Sequence, residues 1–320
     1  LETQRDTHSM RFFRDPPDPG PDGPTVVTIG NFDGVHLGHQ ALIRRCRQVA
    51  GESGRVAVVT FEPLPRAWFS PDTAPPRLAG PAQKLALLQS AGVDLAWVMR
   101  FNGRSAALGA DDFVTRVLVQ GLAATHVVIG HDFRFGCGRE GDFDRLRELG
   151  RAHGFGVEAL APVQVDGQTV SSTVVRAALT AGRFDQAAAA LGRRYTLCGR
   201  VIRGRQLGRK LGYPTANVRP PRGGSPLAGI YAVHARVAGG PWRPGVASLG
   251  HRPAVGGGEA LLEVHLFDFD GDLYGQRLET RFVEWIREER NFDDLAALTA
   301  QMNNDEDRAR AILAAATPED

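Results

Sequence analysis

From Thr25 to Leu160 short apolar runs alternate with stretches of helical period. The runs Thr25 to Ile29, Arg55 to Phe61, Asp94 to Met99, His126 to Ile129 and Gly156 to Leu160 are four to seven residues long and rich in Val and Ala, which is the signature of buried strands. Between them His39 to Ala50, Pro81 to Ala91 and Asp111 to Gln120 read as helices. Strands and helices in this order predict a parallel sheet with helices on both faces. Two further helices, Ser172 to Ala181 and Phe184 to Leu191, close this half. After Leu191 the period becomes two. Tyr195 to Val201, Gly229 to Val237, Val246 to Leu249, Leu261 to Phe269 and Arg277 to Trp285 are expected as strands separated by Gly/Pro loops, forming an antiparallel barrel or sandwich. Helical segments follow from Phe292. The change of period predicts a boundary between Ala187 and Arg194, dividing the chain into domains 10–186 and 187–320.

Length agrees with two cores, since 320 residues exceed what one core comfortably serves. With 42% hydrophobic and 23% charged residues, the chain matches ordinary globular proteins. No apolar run approaches the ~20 residues of a membrane-spanning helix, so no membrane partner is expected. The N-terminus lacks a basic start followed by an apolar stretch, and Cys46, Cys137 and Cys198 show no metal-ligand spacing. A reducing cytoplasm fits both facts. Residues 1 to 9 are polar and precede Met10; they read as a tag remnant or an upstream extension and stand outside the fold reading.

The formal charge of +2 conceals a segregation. Between Asp185 and Glu259 there is no acidic residue, while twelve Arg or Lys residues fall there. Such a stretch attracts an anion, either a nucleic acid or a compact phosphate group. Its basic residues are interrupted by glycines and followed by Pro214-Thr215-Ala216-Asn217, without the interleaved aromatics that stack on bases. A phosphate site is favoured and a nucleic-acid partner is not.

Two stretches in the first half point to a nucleotide. The first strand runs into Gly30-Asn31-Phe32-Asp33-Gly34 and then a helix near Gly38. Ligands of an open parallel sheet sit at the carboxyl ends of its strands, where a helix N-terminus offers N–H groups to phosphates. His36 and His39, three apart, can face one point and donate to phosphate oxygens as negative charge shifts to the bridging oxygen. No Gly-Lys-Ser/Thr follows, which argues against a P-loop. Ser171-Ser172-Thr173 with Arg176 adds three hydroxyls and a guanidinium at the start of a helix. One hydroxyl would suffice for a cap; the cluster suits a departing pyrophosphate.

These segments, with Gly130-His131-Asp132-Phe133-Arg134-Phe135-Gly136, resemble the adenylyltransferase half of the bacterial bifunctional riboflavin kinase/FAD synthetase family. The second half extends the resemblance through Gly204-Arg205-Gln206-Leu207-Gly208-Arg209-Lys210-Leu211-Gly212-Tyr213-Pro214-Thr215-Ala216-Asn217, Leu262-Glu263-Val264-His265 and Gly271-Asp272-Leu273-Tyr274-Gly275. The resemblance spans nearly all of Thr25 to Arg310. It implies a Rossmann-like nucleotidyltransferase domain, then a six-stranded riboflavin kinase-like β-barrel with a C-terminal helix. It also implies two ATP-dependent steps, riboflavin to FMN and FMN to FAD. In the arch Gly204, Arg205, Gly208, Arg209, Gly212 and Pro214, backbone amides and guanidiniums can cradle phosphates. Thr215 and Asn217 offer the neutral oxygens that suit Mg2+. Glu263 lies on an alternating strand with Leu261 and His265 on the same face. By resemblance it is the base that takes the ribityl hydroxyl proton. Phe61, Phe133 and Phe135 stand near the first site and read first as core, second as partners for a flavin ring. Leu64, Ser248 and Ala254 depart from the family pattern and bear on affinity. A chain with one decayed half, acting as a kinase alone or adenylylating another alcohol phosphate, remains open at this point, and oligomeric state is not readable.

Overall fold

The computed structural model describes residues 9–17, 23–204, 208, 212–251 and 260–316. The chain divides into two compact units, residues 1–75 with 84–171, and residues 76–83 with 172–320.

The first unit is built on a six-stranded, wholly parallel sheet. Its strands are β1 (Arg11–Phe13), β2 (Thr25–Ile29), β3 (Arg55–Glu62), β4 (Leu95–Arg100), β5 (Ala124–Gly130) and β6 (Gly156–Leu160), in the spatial order β1-β4-β3-β2-β5-β6. Five were expected. β1 was not, because three residues are too short to display a period, and two of them, Arg11 and Phe12, are exposed. Alternation along each strand supplies two cores. Val27, Ile29, Val59 and Val127 pack with Phe113, Val117, Leu118, Leu146 and Leu149 on one face. Val26, Val56, Val58 and Val128 pack with Ile43, Cys46 and Leu88 on the other. Helices Leu37–Ala50 and Pro81–Ser90 thus cover one face, and the segments Ala110–Phe113, Val114–Gly121 and Phe143–His153 the other. From Val114 the helix widens to the i→i+5 pattern, which apolar spacing does not distinguish from an ordinary helix. Phe143–His153 was not expected. It is capped by Asp142, whose carboxylate accepts from Arg145 N at 3.0 Å.

Strand order reverses between β2 and β5, with β3, β4 and β1 on one side and β6 on the other. This is the switch point at which an open α/β sheet forms its crevice. The turn after β2 begins at Gly30 and β5 ends at Gly130, so both glycine-led motifs sit at this reversal.

After a two-stranded hairpin of β7 (Gln164–Val165) and β8 (Gln168–Thr169), helices Ser172–Thr180 and Phe184–Leu191 lead into the barrel. Its strands are β9 (Thr196–Ile202), β10 (Ala216–Val218), β11 (Gly229–Val237), β12 (Arg243–His251), β13 (Ala260–Leu266) and β14 (Arg277–Arg287). They close antiparallel in the order β10-β13-β12-β11-β14-β9. β10 is the sixth strand, hidden in the sequence inside the Pro-Thr-Ala-Asn motif. The unit division falls at Ser171/Ser172, earlier than the expected 186/187. Phe184 meets Tyr231 edge-on, and the Thr180 hydroxyl donates to Pro226 O at 3.2 Å, so both helices pack with the barrel.

Helix Leu295–Ala315, capped by Asp294, lies on the outer barrel face, where Ala309 and Leu313 join Ile230, Ala232 and Ile286. It is pinned by charge as well. Arg287 Nε donates to Asp305 Oδ1 at 2.8 Å and Nη2 to Oδ2 at 2.6 Å, while Gln301 Nε2 donates to Oδ1 at 2.8 Å. The Asp305 side chain is 6% exposed. Removing one partner of such a buried pair strands the other. Asp305→Ala is expected to lower unfolding free energy by about 3 kcal/mol, read by urea denaturation, and a change below about 0.5 kcal/mol would show the pair to be dispensable.

Candidate active sites

In the first unit the chain leaves β2 through a strained turn. Phe32, Gly34 and Val35 have φ of 49°, 80° and 43°. Left-handed backbone is rare for a β-branched residue such as Val35. Packing holds it there, since Phe32, Asp33 and Val35 are almost completely buried. Gln40 Nε2 donates to Val35 O at 2.9 Å, tying the turn to the helix it starts.

His36 occupies the N-cap of helix Leu37–Ala50 in extended backbone, and its side chain makes no cap hydrogen bond. Its ring stacks on that of His39, with centroids 3.7 Å apart and planes 22° apart, and Phe32 packs on the far member at 4.8 Å. A Cβ on Gly38 would stand 3.1 Å from the His36 ring, so a larger residue there would press the ring aside by a few tenths of an ångström. The two imidazoles thus lie against each other at the start of the helix. His39 Nδ1 is buried without a hydrogen-bond partner, although the residue as a whole is only half-buried. Burial first, then His36, then Lys84 hold the His39 imidazole well below its usual pKa, so it is neutral at pH 7.

After β5, Phe133 N donates to Gly130 O at 3.1 Å, turning the chain so that Asp132 is exposed. Phe133 and Phe135 stack with centroids 5.5 Å apart. Phe135 is buried in the core, while Phe61 and Phe133 pack against it half-buried. The first reading of these rings, as core, fits.

Of the hydroxyl cluster, Ser171 ends the first unit and Ser172, Thr173 and Arg176 open the second. Ser172 begins helix Ser172–Thr180 as expected. Arg176 Nε donates to Pro76 O at 2.6 Å, a backbone partner that the sequence did not announce.

The barrel site is set by register. Glu263 on β13 lies directly opposite Asn217 on β10 and Ser248 on β12. Alternation turns Leu262, Val264 and Leu266 into the buried interior and places Leu261, Glu263 and His265 on a cavity of about 530 Å3. The Thr215 hydroxyl donates to Glu263 Oε2 at 3.4 Å. Asn217 is 5% exposed; its Nδ2 donates to Thr215 O at 3.1 Å. A carbonyl can only accept, so this bond fixes the amide orientation. Asn217 Oδ1 is left buried with no hydrogen-bond partner. His265 Nδ1 donates to Pro214 O at 2.9 Å, which fixes the arch's exit. The cavity combines Thr215, Glu263 and His265 with apolar walls from Phe292, Leu298 and Met302.

Glycine is required where the arch approaches this site. A Cβ on Gly204 would stand 2.6 Å from Asn217 Oδ1, and one on Gly208 2.2 Å from Tyr213 O. The close approach is to the protein's own groups, in addition to any ligand. Gly212 has φ of 85°. Arg205 and Arg209 lie outside the described residues, as do Ala254 and residues 1 to 8. Leu64 is buried and precedes helix Pro65–Phe69, and the Ser248 hydroxyl donates to Glu289.

Two residues escaped the sequence reading. Asp305 lines the cavity from the C-terminal helix, and Lys84, 1% exposed, donates to Asn31 O at 3.3 Å and Thr60 Oγ1 at 3.0 Å. Each left a signal, a charge on an apolar stripe: Asp305 with Ala309 and Leu313, Lys84 four residues before Leu88. Among the described residues no cluster of three or more His, Cys, Asp or Glu could hold a metal ion.

Two family models match the chain, FAD synthetase over residues 19–174 and riboflavin kinase over residues 191–313. The chain is 50% identical to a bifunctional riboflavin kinase/FMN adenylyltransferase of Pseudomonas fluorescens, over 90% of this chain and 93% of the relative. It is 42% identical to the protein of that description from Escherichia coli K12, over 92% and 94%. A crystal structure described as a macrolide-efflux protein from Streptococcus pneumoniae shares the fold with a TM-score of 0.77 and 28% identity, over 93% of this chain and 98% of that one. Among the described residues no helix is long and apolar enough to cross a membrane.

The state of His39 has a measurable consequence. Its folded pKa is depressed, so below about pH 6.5 the unfolded chain takes up a proton that the folded one refuses, and stability falls as pH falls. His126 and His234, also depressed chiefly by burial, act in the same direction. The His39 ring resonances are expected to stay constant in NMR from pH 8 to about 6, and His39→Gln should flatten the loss of stability below about pH 6.5. A ring that titrates near pH 6.5 contradicts this.

Proposed function

The chain belongs to the bifunctional riboflavin kinase/FMN adenylyltransferase family, and on that premise we propose how its residues divide two reactions between them. It phosphorylates riboflavin with ATP to give FMN and ADP, then adenylylates FMN with a second ATP to give FAD and pyrophosphate. The efflux description belongs to the more distant S. pneumoniae neighbour; the bifunctional relatives match at higher identity over a similar share of the chain.

Phosphorylation is assigned to residues 187–320. The observation that carries it is Glu263 directly opposite Asn217 with the Thr215 hydroxyl bonded to its carboxylate, at the edge of a cavity with apolar walls. The flavin ring occupies the wall of Phe292, Leu298 and Met302, and the ribityl chain runs toward Glu263. Glu263 accepts the proton of the terminal ribityl hydroxyl as that oxygen attacks the γ-phosphorus. The arch Gly204, Arg205, Gly208, Arg209, Gly212 and Pro214 brings amides and guanidiniums to the nucleotide phosphates. Thr215 and Asn217 fit a hard cation, because a buried amide oxygen without a donor is costly unless a ligand completes it. Mg2+ held there would draw charge from the nucleotide phosphates.

Adenylylation is assigned to residues 10–186. Turn Gly30, Asn31, Phe32, Asp33 and Gly34, with Gly38 at the helix start, offers backbone donors at the switch point beside Asp132 and Phe133. An FMN phosphate oxygen attacks the α-phosphorus. His36 and His39 donate to phosphate oxygens as charge builds. Ser171, Ser172, Thr173 and Arg176 hold the leaving pyrophosphate. Neither step forms a covalent enzyme intermediate, so catalysis is positioning and charge stabilisation. Substrates are small molecules, and a cytoplasmic setting suits the free thiols of Cys46, Cys137 and Cys198.

Incubation with riboflavin and Mg-ATP is expected to yield FMN and then FAD; accumulation of FMN alone rejects the second assignment. Glu263→Gln should lower phosphorylation by at least about 100-fold and spare conversion of supplied FMN to FAD. His36→Ala should do the reverse, by about 100-fold. Equal loss of both products in either variant argues against separate sites.

A further inference from the structure

Lys84 is the buried charge of the first unit that the division of labour above leaves without a task. It sits on helix Pro81–Ser90, 1% exposed, with its ammonium at the carboxyl ends of two neighbouring strands. Its ammonium donates to Asn31 O at 3.3 Å, from the turn after β2, and to Thr60 Oγ1 at 3.0 Å and Phe61 O at 3.4 Å, both from β3. The Thr60 hydroxyl itself donates to Asn31 O at 3.1 Å, so turn and strand are joined twice. Burying an ammonium costs several kcal/mol, and an apolar side chain of similar volume would often anchor a helix as well or better. Helix anchoring alone therefore does not account for lysine.

The oxygens it grips do. Asn31 lies one residue past Gly30 and precedes Phe32, whose φ of 49° and contact with His39 place it in the strained turn. Holding Asn31 O to the end of β3 holds that turn, and with it the amides and the His36/His39 stack. We propose that Lys84 is a positioning residue of the adenylyl-transfer site, clamping the carboxyl ends of β2 and β3 so that the Gly30 to Gly34 turn and the histidine pair are set before ATP arrives. This rests on the assignment of adenylylation to residues 10–186.

The clamp also carries charge. The groups that face His39 are His36 on the same helix and Lys84 on the neighbouring one, with Asp33 buried in the turn between β2 and the helix. Both His36 and Lys84 act to keep His39 neutral, behind burial itself. A neutral imidazole has one N–H to donate to a phosphate oxygen and a second nitrogen that accepts, a pattern that protonation removes.

The test is Lys84→Met, similar in volume but uncharged, with Lys84→Arg as the charge-retaining variant and Lys84→Gln in reserve should the methionine variant not fold. Rates of FMN adenylylation are measured from pH 5 to 9, with riboflavin phosphorylation by the same preparation as internal control and His39 followed by NMR. The expected result for Lys84→Met is a loss of about 100-fold in adenylylation kcat, an acid limb moved to higher pH by about half a unit or more, and phosphorylation within about twofold of the parent. Lys84→Arg should return the acid limb to its original place. A lowered Tm with adenylylation pH profile and His39 titration both unmoved overturns the proposal and leaves Lys84 as a structural anchor. Failure of the underlying assignment is read separately, as absence of FAD formation by the unsubstituted protein.

Discussion

Strand pairing sets Asn217 of β10 opposite Glu263 of β13, and the barrel site depends on that register because side chains alternate with a period of two. A slip of one residue would turn Glu263 into the interior now filled by Leu262 and Val264, and would bring Leu262 or Val264 to the cavity. The three-residue β10 has little ladder of its own to resist slippage. It is held by pairing on both sides, with β13 and with β9, and by the Asn217 amide bonded back to Thr215 O. Barrel closure is thus the condition under which the Glu263 carboxylate meets the Thr215 hydroxyl with Asn217 in register opposite.

The parallel sheet imposes the same kind of condition by other means. The proposed reaction calls on no side chain of β2 or β5; what the strands provide is a point where their order reverses and their chain turns leave in opposite directions. The turn after β2 must then make its approach within five residues, and it does so through left-handed backbone at Phe32, Gly34 and Val35. Strain of this kind persists where surroundings over-determine it. Buried Phe32 and Val35, the Gln40 amide and the Lys84 ammonium are those surroundings.

Both candidate sites set buried neutral polar groups beside charged ones. In the barrel the Thr215 hydroxyl and the buried Asn217 amide oxygen stand beside Glu263; in the first unit two imidazoles stack, one of them held neutral by burial. Neutral donors and acceptors bind polyphosphate without a large desolvation penalty of their own, which suits enzymes whose task is positioning.

Much of this was legible in the chain. Period and length located five strands of each sheet to within a few residues, because alternation and apolar runs are local properties. The histidine pair and the Glu263 face followed from spacings of three and two, which secondary structure converts directly into a shared side. What local pattern could not supply were elements made by partners elsewhere. β1 and β10 are three residues each and exist because β4, β9 and β13 offer them edges. The Arg287 and Asp305 pair, and the grip of Lys84 on Asn31 and Phe61, join positions between 18 and 53 residues apart. A charge on an apolar stripe announces that a partner must exist; which oxygen answers it is decided when distant segments pack, since burial alone makes the pairing obligatory.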